Sequence, residues 1–416
     1  MLTGTNLTLT KEYNLRIIHE TIRLFGPLSR AEVARRTELT PQTVSNLVRE
    51  LIQMNLVIEA DKHQAGRGAP SVRLEVNPAG AFSIGLDLDR DHLTGVLVDL
   101  TGAVRQRIRH DLSFPTPEEA LKLMTETVQQ LVWKEGLTKN QVCGVGVGVP
   151  GPMYLADDGK TYLVNPLDFG DWHSIPLSDL LEEQLGIPVV LENNATAAAV
   201  GERWYGAGRH MTSFFYFYCG SGLGGGLIIN GQPFEGQTGN AGEVGYLPIG
   251  EVAKDPPSPA RPHAGQHFNL PRLYRKLREE GLDVSSPDDL RKLFLAGNPS
   301  LLKWMDTAAS MIASMALAVE YLIDPTAIFF GGRLADEILE DLMKRVREQM
   351  PDRRLDNKAR VPEYRVATAG LDAAAMGVAT LPIYDLFAPT HQALNKQADS
   401  PAPRTFASTL QSGNAG

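Results

Sequence analysis

The sequence has very little cysteine and no long apolar run. Only Cys143 and Cys219 occur among its 416 residues, each within an apolar stretch, and this favours reduced, buried thiols over a disulfide. No stretch of eighteen apolar residues is present, which excludes an ordinary transmembrane helix. The amino terminus also lacks the basic and then apolar segments of a secretory signal. We therefore expect a cytoplasmic protein without a membrane partner.

Length and charge indicate several domains, with a slightly basic one first. A chain of 416 residues is long enough for two or three domains. The net charge of −9 is uneven, because residues 1–76 carry ten Lys and Arg against eight Asp and Glu, a charge of +2, and the remainder carries −11. A basic amino-terminal segment on an acidic body is compatible with a segment that contacts a polyanion.

The first segment, residues 1–78, has the pattern of a helix-turn-helix domain. Its first run of helically spaced apolar residues stops at a Gly-Pro pair. Ser29 stands three residues before Glu32, a capping box that predicts the start of a second helix. Thr40 can cap a third helix, with Pro41 at the first position, where its missing N–H costs nothing. Two short strands follow, at 56–59 and 71–76, and predict a wing.

In a winged helix-turn-helix domain the third helix enters the major groove of DNA. Its Gln and Asn side chains can bond adenine edges, its Ser and Thr hydroxyls can serve bases or phosphates, and its arginine is suited to phosphate. The tip of the wing places an arginine between two glycines, where a narrow minor groove would attract it. The predicted DNA-binding residues are Gln42, Thr43, Ser45, Asn46, Arg49 and Arg67. The alternative is a small helical domain with a polar surface that binds nothing.

The rest of the sequence predicts an α/β body and a tail. Predicted strands and helices alternate between residues 79 and 387. They fall into two strand-rich blocks that each begin with a hairpin, which suggests two similar lobes with a cleft between them. From Ala388 onward the chain is rich in Ala, Pro, Ser, Gln and Asn, and we predict that this tail is disordered.

Four motifs in the body carry a family resemblance. They are Gly146-Val147-Gly148-Val149-Pro150-Gly151-Pro152, Glu192-Asn193-Asn194-Ala195, the glycine-rich loop Gly220–Gly226 and the segment Gly239–Gly245. With them, residues 10–387 resemble the ROK family (repressors, open reading frames and kinases), and in particular its winged-helix, sugar-responsive repressors of the N-acetylglucosamine and xylose type. The resemblance implies a two-lobed, actin-like sugar kinase fold behind the winged helix-turn-helix. The predicted domains are residues 1–78 (DNA-binding), 79–200 with 372–387 (first lobe), 201–371 (second lobe) and 388–416 (tail).

The resemblance also indicates which functions are lost. Asn194 occupies the place of the kinase's basic aspartate, and an amide cannot accept a proton from a sugar hydroxyl. The first phosphate-binding turn reads Asp87-Leu88-Asp89-Arg90-Asp91, which has no glycine and three carboxylates that repel a nucleotide. The second phosphate loop, 220–226, is intact, although it can also be a glycine turn kept for its geometry. We therefore predict that the protein is not an enzyme.

The family's zinc site is predicted to be absent. Tyr246 stands where the family has a histidine ligand, and residues 251–270 contain no cysteine, so Cys₃His coordination is impossible. We therefore expect no cofactor. His263 and His267 are interpreted as surface histidines, and a replacement metal site through them is the alternative.

Residues that match the family's sugar-contacting positions remain. Planar amides and a carboxylate suit vicinal hydroxyls, because each can pair with two of them. The sugar-binding residues that the resemblance implies are Asn165, Asn193, Asn194, Glu243 and Tyr246. The alternative is that some of them are buried structural hydrogen bonders.

These features predict a transcriptional regulator, in particular a repressor, that binds double-stranded DNA and responds to a sugar or sugar derivative bound between the lobes. The family resemblance implies a homodimer or higher oligomer and hence a palindromic operator. The long helix predicted at 301–323 is a candidate dimerisation element, or simply core. Two alternatives stay open: a ligand-blind regulator whose body dimerises or docks a partner protein, and an active sugar kinase with a DNA-binding domain.

Overall fold

The computed structural model describes residues 7–63, 71–166, 169–248, 263–355 and 360–388. Arg67 and almost all of the predicted tail, 389–416, lie outside the described residues. The helices are α1 Leu7–Phe25, α2 Arg30–Thr37, α3 Pro41–Gln53, α4 Pro117–Lys134, α5 Leu177–Leu185, α6 Asn194–Tyr205, α7 Ala264–His267, α8 Leu270–Glu279, α9 Pro287–Leu295, α10 Pro299–Leu322, α11 Asp336–Gln349 and α12 Ala373–Phe387. The strands are β1 Leu28–Ser29, β2 Val57–His63, β3 Ser71–Val76, β4 Phe82–Leu88, β5 His92–Asp99, β6 Val104–Asp111, β7 Val142–Val149, β8 Met153–Leu155, β9 Tyr162–Val164, β10 Val189–Asn193, β11 Phe214–Cys219, β12 Leu223–Ile229, β13 Gln232–Pro233, β14 Ala327–Gly332 and β15 Glu363–Val366.

The amino-terminal domain is the predicted winged helix-turn-helix. Ser29 and Glu32 form the reciprocal capping box at the start of α2, and the Thr40 side chain accepts the Thr43 N–H at the start of α3, with Pro41 at its first position. Strands β1, β3 and β2 form one antiparallel sheet, of which β2 and β3 are the wing. The apolar face of α3 is buried, so its polar side chains are left toward solvent.

The body contains two five-stranded sheets. In the first, ordered β10-β7-β4-β5-β6, a meander of β4, β5 and β6 continues into the parallel strands β7 and β10. In the second, ordered β13-β12-β11-β14-β15, β11 pairs antiparallel with β12 and parallel with β14. One core lies between the first sheet and α4 and α5, and a second lies between the second sheet and α8 to α11.

Helices α6 and α12 lie together between the two sheets. Helix α12 contacts β4 and β7, helix α6 contacts β11 and β12, and the two helices contact each other along much of their length. The approach is close because two glycines lie at the crossing: a Cβ added to Gly377 would stand 1.8 Å from the Ala197 carbonyl oxygen, and one at Gly201 would stand 2.1 Å from that of Ala373. The helix pair therefore joins the two sheets through backbone contacts that leave no room for a larger side chain.

Strand β12 begins at Leu223, so most of the glycine-rich loop Gly220–Gly226 belongs to a strand. The glycines of β12 allow α6 to pack on the strand, since a Cβ at Gly226 would lie 2.5 Å from the Ala195 carbonyl oxygen. Helix α10, the candidate dimerisation element, buries most of its apolar residues in the core of the second sheet, while Tyr321 and Leu322 at its end are exposed.

The winged helix-turn-helix domain shares a continuous hydrophobic core with the first sheet and α12. Arg16 of α1 donates to the carbonyl oxygens of Asp385 and Ala388 at 2.9 and 3.1 Å. His19 is fully buried and its ring lies tilted against that of Phe387, with ring centroids 5.0 Å apart. Burial, with a smaller contribution from Arg23, lowers the pKa of His19 to about 3. The imidazole is thus neutral, and the domain is fixed to the body by packing and by the hydrogen bonds of Arg16.

A second contact joins α1 to the end of α6. The guanidinium of Arg23 lies 4.1 Å above the Trp204 ring and is held by Glu20 through two 2.7 Å hydrogen bonds. Tyr384 of α12 meets the same Trp204 edge-on, with centroids 6.3 Å apart.

Both buried cysteines are thiols outside any disulfide, as predicted. No helix in the described part of the chain combines the length and apolarity needed to cross a bilayer.

Candidate functional site

The polar side of α3 presents the predicted DNA-contacting residues. Gln42 and Asn46, one turn apart, are exposed and bonded to each other at 3.4 Å. Thr43 is half-buried and shares a 2.8 Å hydrogen bond with Thr40. Ser45 and Arg49 line a groove between α3 and the wing strand β2, opposite Arg30 and Glu59. Five of the six predicted residues therefore share one helix, and Arg67 lies outside the described residues.

A cavity opens where the parallel strands of the first sheet end. Strands β4, β7 and β10 run in the same direction, so the residues that follow them meet at one edge, the usual ligand position in α/β sheets. The turn after β11 in the second sheet closes the other side. The cavity is lined by Asp89, Arg90, Pro150, Gly151, Asn193, Asn194, Tyr218, Ser221, Gly222, Leu223, Gly224, Glu243, Gly245, Tyr246, His263, Gly265 and Asn269.

Asn193 and Glu243 form one hydrogen-bonded unit at the cavity wall. The Asn193 Oδ1 caps α6 by accepting the Ala195 N–H at 2.8 Å, and its Nδ2 donates to Glu243 Oε1 at 2.9 Å. Gly151 permits this contact, because a Cβ there would stand 2.0 Å from Glu243 Oε1. Asn193 is therefore a structural cap as well as a cavity residue.

Asn194 occupies the first position of α6 and is largely buried. Its side-chain amide lines the cavity and has no hydrogen-bonding partner among the residues that the structure describes. An amide offers both donors and an acceptor, so Asn194 can hold a hydroxyl group of a ligand.

Two carboxyl groups near the cavity have raised pKa values. Burial raises the pKa of Glu243 to about 7, against the opposing effects of Arg90 and the Asn193 hydrogen bond. Burial, aided by the nearby Glu235, raises the pKa of Glu192 to about 8. Glu243 thus changes charge near neutral pH, and its charge state will affect any ligand that bonds to it.

Tyr246 and His263 also line the cavity. The Tyr246 hydroxyl donates to the Gly151 carbonyl oxygen at 3.1 Å, and its ring lies 5.5 Å from that of His263. His263, which the sequence suggested was a surface residue, bonds through Nδ1 to the Gly245 carbonyl oxygen at 2.9 Å and lines the cavity. Asn165 is half-buried, donates its backbone N–H to the Pro152 carbonyl oxygen at 3.1 Å, and does not contribute to the lining.

The turn Asp87–Asp91 and the glycine-rich turn after β11 are bonded to each other across the cavity. The Ser221 hydroxyl donates to the buried Asp89 carboxylate, and an Arg90 nitrogen lies 2.9 Å from the Ser221 oxygen. Burial raises the pKa of Asp89, opposed by Arg90. Asp89, Arg90 and Ser221 therefore join the first sheet to the second, and we call this trio the cross-cleft contact.

Behind this contact lies a buried charged cluster. His92 bonds to Asp91 at 2.6 Å and to Asp87 at 3.2 Å. Although burial alone would lower the pKa of His92, these two hydrogen bonds raise it to about 9, so the imidazolium stabilises the aspartates. Asp89, Asp91 and His92 are close enough together to hold a metal ion, but the imidazolium has no lone pair to give. A metal ion would therefore have to displace the proton of His92 before it could bind here.

The fold and the cavity define a winged helix-turn-helix domain joined to an actin-like sugar kinase fold. Residues 83–384 match the ROK family, and residues 5–67 match the MarR family. The protein belongs to the ROK family. The predicted family and fold class are thereby confirmed.

Known proteins resemble different parts of the chain. It is 31% identical to the xylose repressor of Bacillus spizizenii over 58% of this chain and 62% of that protein, so it spans about three fifths of the length of this curated relative. A ROK family transcriptional regulator, described as a homologue of the E. coli MLC protein, superimposes with a TM-score of 0.72 at 19% identity, over 91% of this chain and 97% of the other. A ROK glucokinase from Streptomyces griseus, solved with glucose and AMPPNP, gives a TM-score of 0.61 at 27% identity, over 72% and 99% of the two chains.

Proposed function

We propose that the protein is a DNA-binding transcriptional regulator, a repressor, whose DNA affinity is controlled by a sugar or sugar derivative bound in the cavity beside α6. The observation that carries the proposal is the placement of α6. Its first residue, Asn194, lines the cavity, and Trp204 near its end contacts α1 of the DNA-binding domain. A helix of twelve residues spans about 18 Å, so a single rigid element connects the two sites.

The cavity chemistry supports a sugar as the effector. Asn193, Asn194 and Glu243 present two amides and a carboxyl group on one wall, and such groups bond to neighbouring hydroxyls in pairs. The relatives named as repressors and the glucokinase solved with glucose point to the same ligand class.

We further propose that the body does not transfer phosphate. Asn194 has no basicity with which to deprotonate a sugar hydroxyl. In the cross-cleft contact, Asp89 and Arg90 occupy the space between the two phosphate-binding turns of the fold, where a nucleotide phosphate would have to bind. Both features remove parts on which phosphoryl transfer depends. We propose the domain boundaries predicted from the sequence, 1–78, 79–200 with 372–387, 201–371 and 388–416; the boundary between residues 200 and 201 falls inside α6.

We propose that the protein acts as a homodimer on a palindromic operator. A two-fold dimer places two copies of α3 on half-sites that face the same side of DNA, separated by whole helical turns of roughly 10 bp. A change in lobe closure would then alter the distance between the two α3 helices. The ligand can shift this equilibrium only by its difference in affinity for the two states.

The test is a thermal-shift screen against sugars and sugar phosphates, with and without ATP and magnesium, followed by DNA binding. An effector at 100 times its dissociation constant should stabilise the fold by about 2.7 kcal/mol, and it should also change the affinity for operator DNA. A stabilising sugar that leaves DNA affinity unchanged would contradict the proposal. No response to any sugar would favour the ligand-blind regulator, and consumption of ATP would favour the kinase.

The raised pKa of Glu243 predicts that sugar binding depends on pH. Between pH 6 and pH 8 the ionised fraction of a carboxyl group with a pKa of about 7 rises roughly tenfold. The carboxylate is the stronger acceptor for sugar hydroxyls, so affinity should rise by up to about tenfold over this range in calorimetric titrations. Glu243→Gln should remove the pH dependence, and a dependence that persists in this variant would assign it to Glu192, whose pKa is raised to about 8.

A further inference from the structure

A recess adjoins the cavity and is rich in arginine. It is lined by Arg90, Phe114, Gln266, Asn269, Pro271, Arg272 and Arg275. Arg90 and Asn269 line both the cavity and the recess, so a single small molecule can reach from one into the other. No carboxylate-bearing side chain is part of this lining among the described residues.

The arginines of α8 stand where helix electrostatics disfavour them. Asn269 caps α8 by accepting the Arg272 N–H at 2.9 Å, and Arg272 therefore lies in the first turn, which contains no acidic residue. A cation at a helix amino terminus faces the positive end of the dipole, and Arg275 adds a like charge one turn later. An arrangement that costs stability in this way is compensated when an anion binds.

These two arginines lack acidic partners in the part of the chain that the structure describes. Arg272 donates to the Gln266 carbonyl oxygen at 3.1 Å, and Arg275 has no ion pair or side-chain hydrogen bond to a described residue. Burial lowers the pKa of the adjacent His267, and Arg272 and Lys276 lower it further. The potential around the recess is therefore positive.

We propose that the recess binds an anionic group, a phosphate ester, carried by the sugar effector whose ring occupies the cavity. Arg272 and Arg275 would bind the phosphate oxygens with charge-assisted hydrogen bonds, and Arg90, already paired with Asp89, would lie between phosphate and ring. The inference rests on the proposed sugar-sensing function and specifies its ligand class. Because recess and cavity share two lining residues, the anion and the ring belong to one molecule, which favours a sugar phosphate over free phosphate.

The experiment compares matched ligand pairs by calorimetry on the full chain: glucose with glucose 6-phosphate, N-acetylglucosamine with its 6-phosphate, and xylose with its 5-phosphate. Inorganic phosphate and ATP are tested separately. The wild type should bind one phosphorylated sugar at least about tenfold more tightly than its neutral partner, and this preference should shrink at 1 M salt.

The variant Arg272→Ala/Arg275→Ala should lose that preference while retaining its affinity for the neutral sugar. Arg278→Ala is the matched control, because Arg278 is exposed on the same helix and is not part of the recess lining. Melting temperatures of the variants without ligand verify folding, and the lysine variant Arg272→Lys/Arg275→Lys should retain part of the preference.

Three results would overturn the inference: equal affinity for both members of every pair, a preference that survives in the double alanine variant, or arginine-dependent binding of ATP or inorganic phosphate without a preference for a sugar phosphate. Each of these differs from failure of the proposed function, in which no sugar, neutral or phosphorylated, binds the wild type.

Discussion

Replacing Gln42 or Asn46 by alanine should weaken binding to the operator while leaving binding to unrelated DNA almost unchanged. Both side chains are exposed on the first turns of α3 and already bond to each other, so they stand as a pair that can face one base edge. Each amide that bonds a base in two places contributes about 1–3 kcal/mol of discrimination. The expected loss of operator affinity is therefore about 5- to 150-fold per substitution.

The measurement is fluorescence anisotropy on an operator chosen by in vitro selection and on a scrambled duplex, across a series of salt concentrations. Arg49→Ala should weaken binding to both duplexes equally and reduce the salt slope by about one, as expected for a phosphate contact. Gln53→Ala is the control, since Gln53 is an exposed glutamine at the far end of the same helix. If neither Gln42 nor Asn46 affects the preference for the operator, α3 does not read the bases.

Local signals in the sequence were sufficient to predict the DNA-binding domain. Capping groups act on the backbone within three residues, so Ser29 with Glu32 and Thr40 with Pro41 mark the helix starts without reference to the rest of the fold. The strands of the body were predicted for a related reason, because buried strands such as β7 are continuous apolar runs.

The cavity was predictable only in part, because its geometry depends on contacts distant in sequence. The cross-cleft contact joins Asp89 to Ser221, which are 132 residues apart. His263 faces the cavity because it bonds to Gly245, 18 residues earlier. No local pattern encodes either contact. The glycines of β12 are a case in which a local pattern has two explanations. Their sequence resembles a phosphate-binding loop, yet the close packing of β12 on α6 is by itself enough to require glycine at several of these positions.

Replacing Trp204 by alanine should disconnect the cavity from the DNA-binding domain. Trp204 is half-buried where α6, α12 and α1 meet, and it holds the guanidinium of Arg23 over its ring and Tyr384 at its edge. A cation over a tryptophan ring contributes about 0.5–2 kcal/mol, so the interface should loosen while both domains stay folded. Sugar affinity and DNA affinity, measured separately, should each change by less than about threefold, because Trp204 lines neither site.

The coupling between the two ligands should change much more. Allosteric coupling is typically 1–3 kcal/mol, a 5- to 150-fold effect of one ligand on the affinity for the other. In Trp204→Ala we expect the effect of the sugar on operator affinity to fall below about twofold. Linkage is reciprocal, so operator DNA should equally lose its effect on sugar affinity. Trp133→Ala is the matched control, since that tryptophan is 78% exposed and far along the sequence from α6.

A purely structural role for Trp204 would lower the melting temperature without changing the coupling factor, so the two measurements separate the possibilities. Arg23→Ala should reproduce the loss of coupling from the other side of the contact. Arg16→Ala should have the smaller effect on coupling, because it removes hydrogen bonds to α12 rather than to α6. If all three variants keep the full response to the sugar, the signal does not travel through the end of α6. A change in dimer geometry alone would then have to carry it.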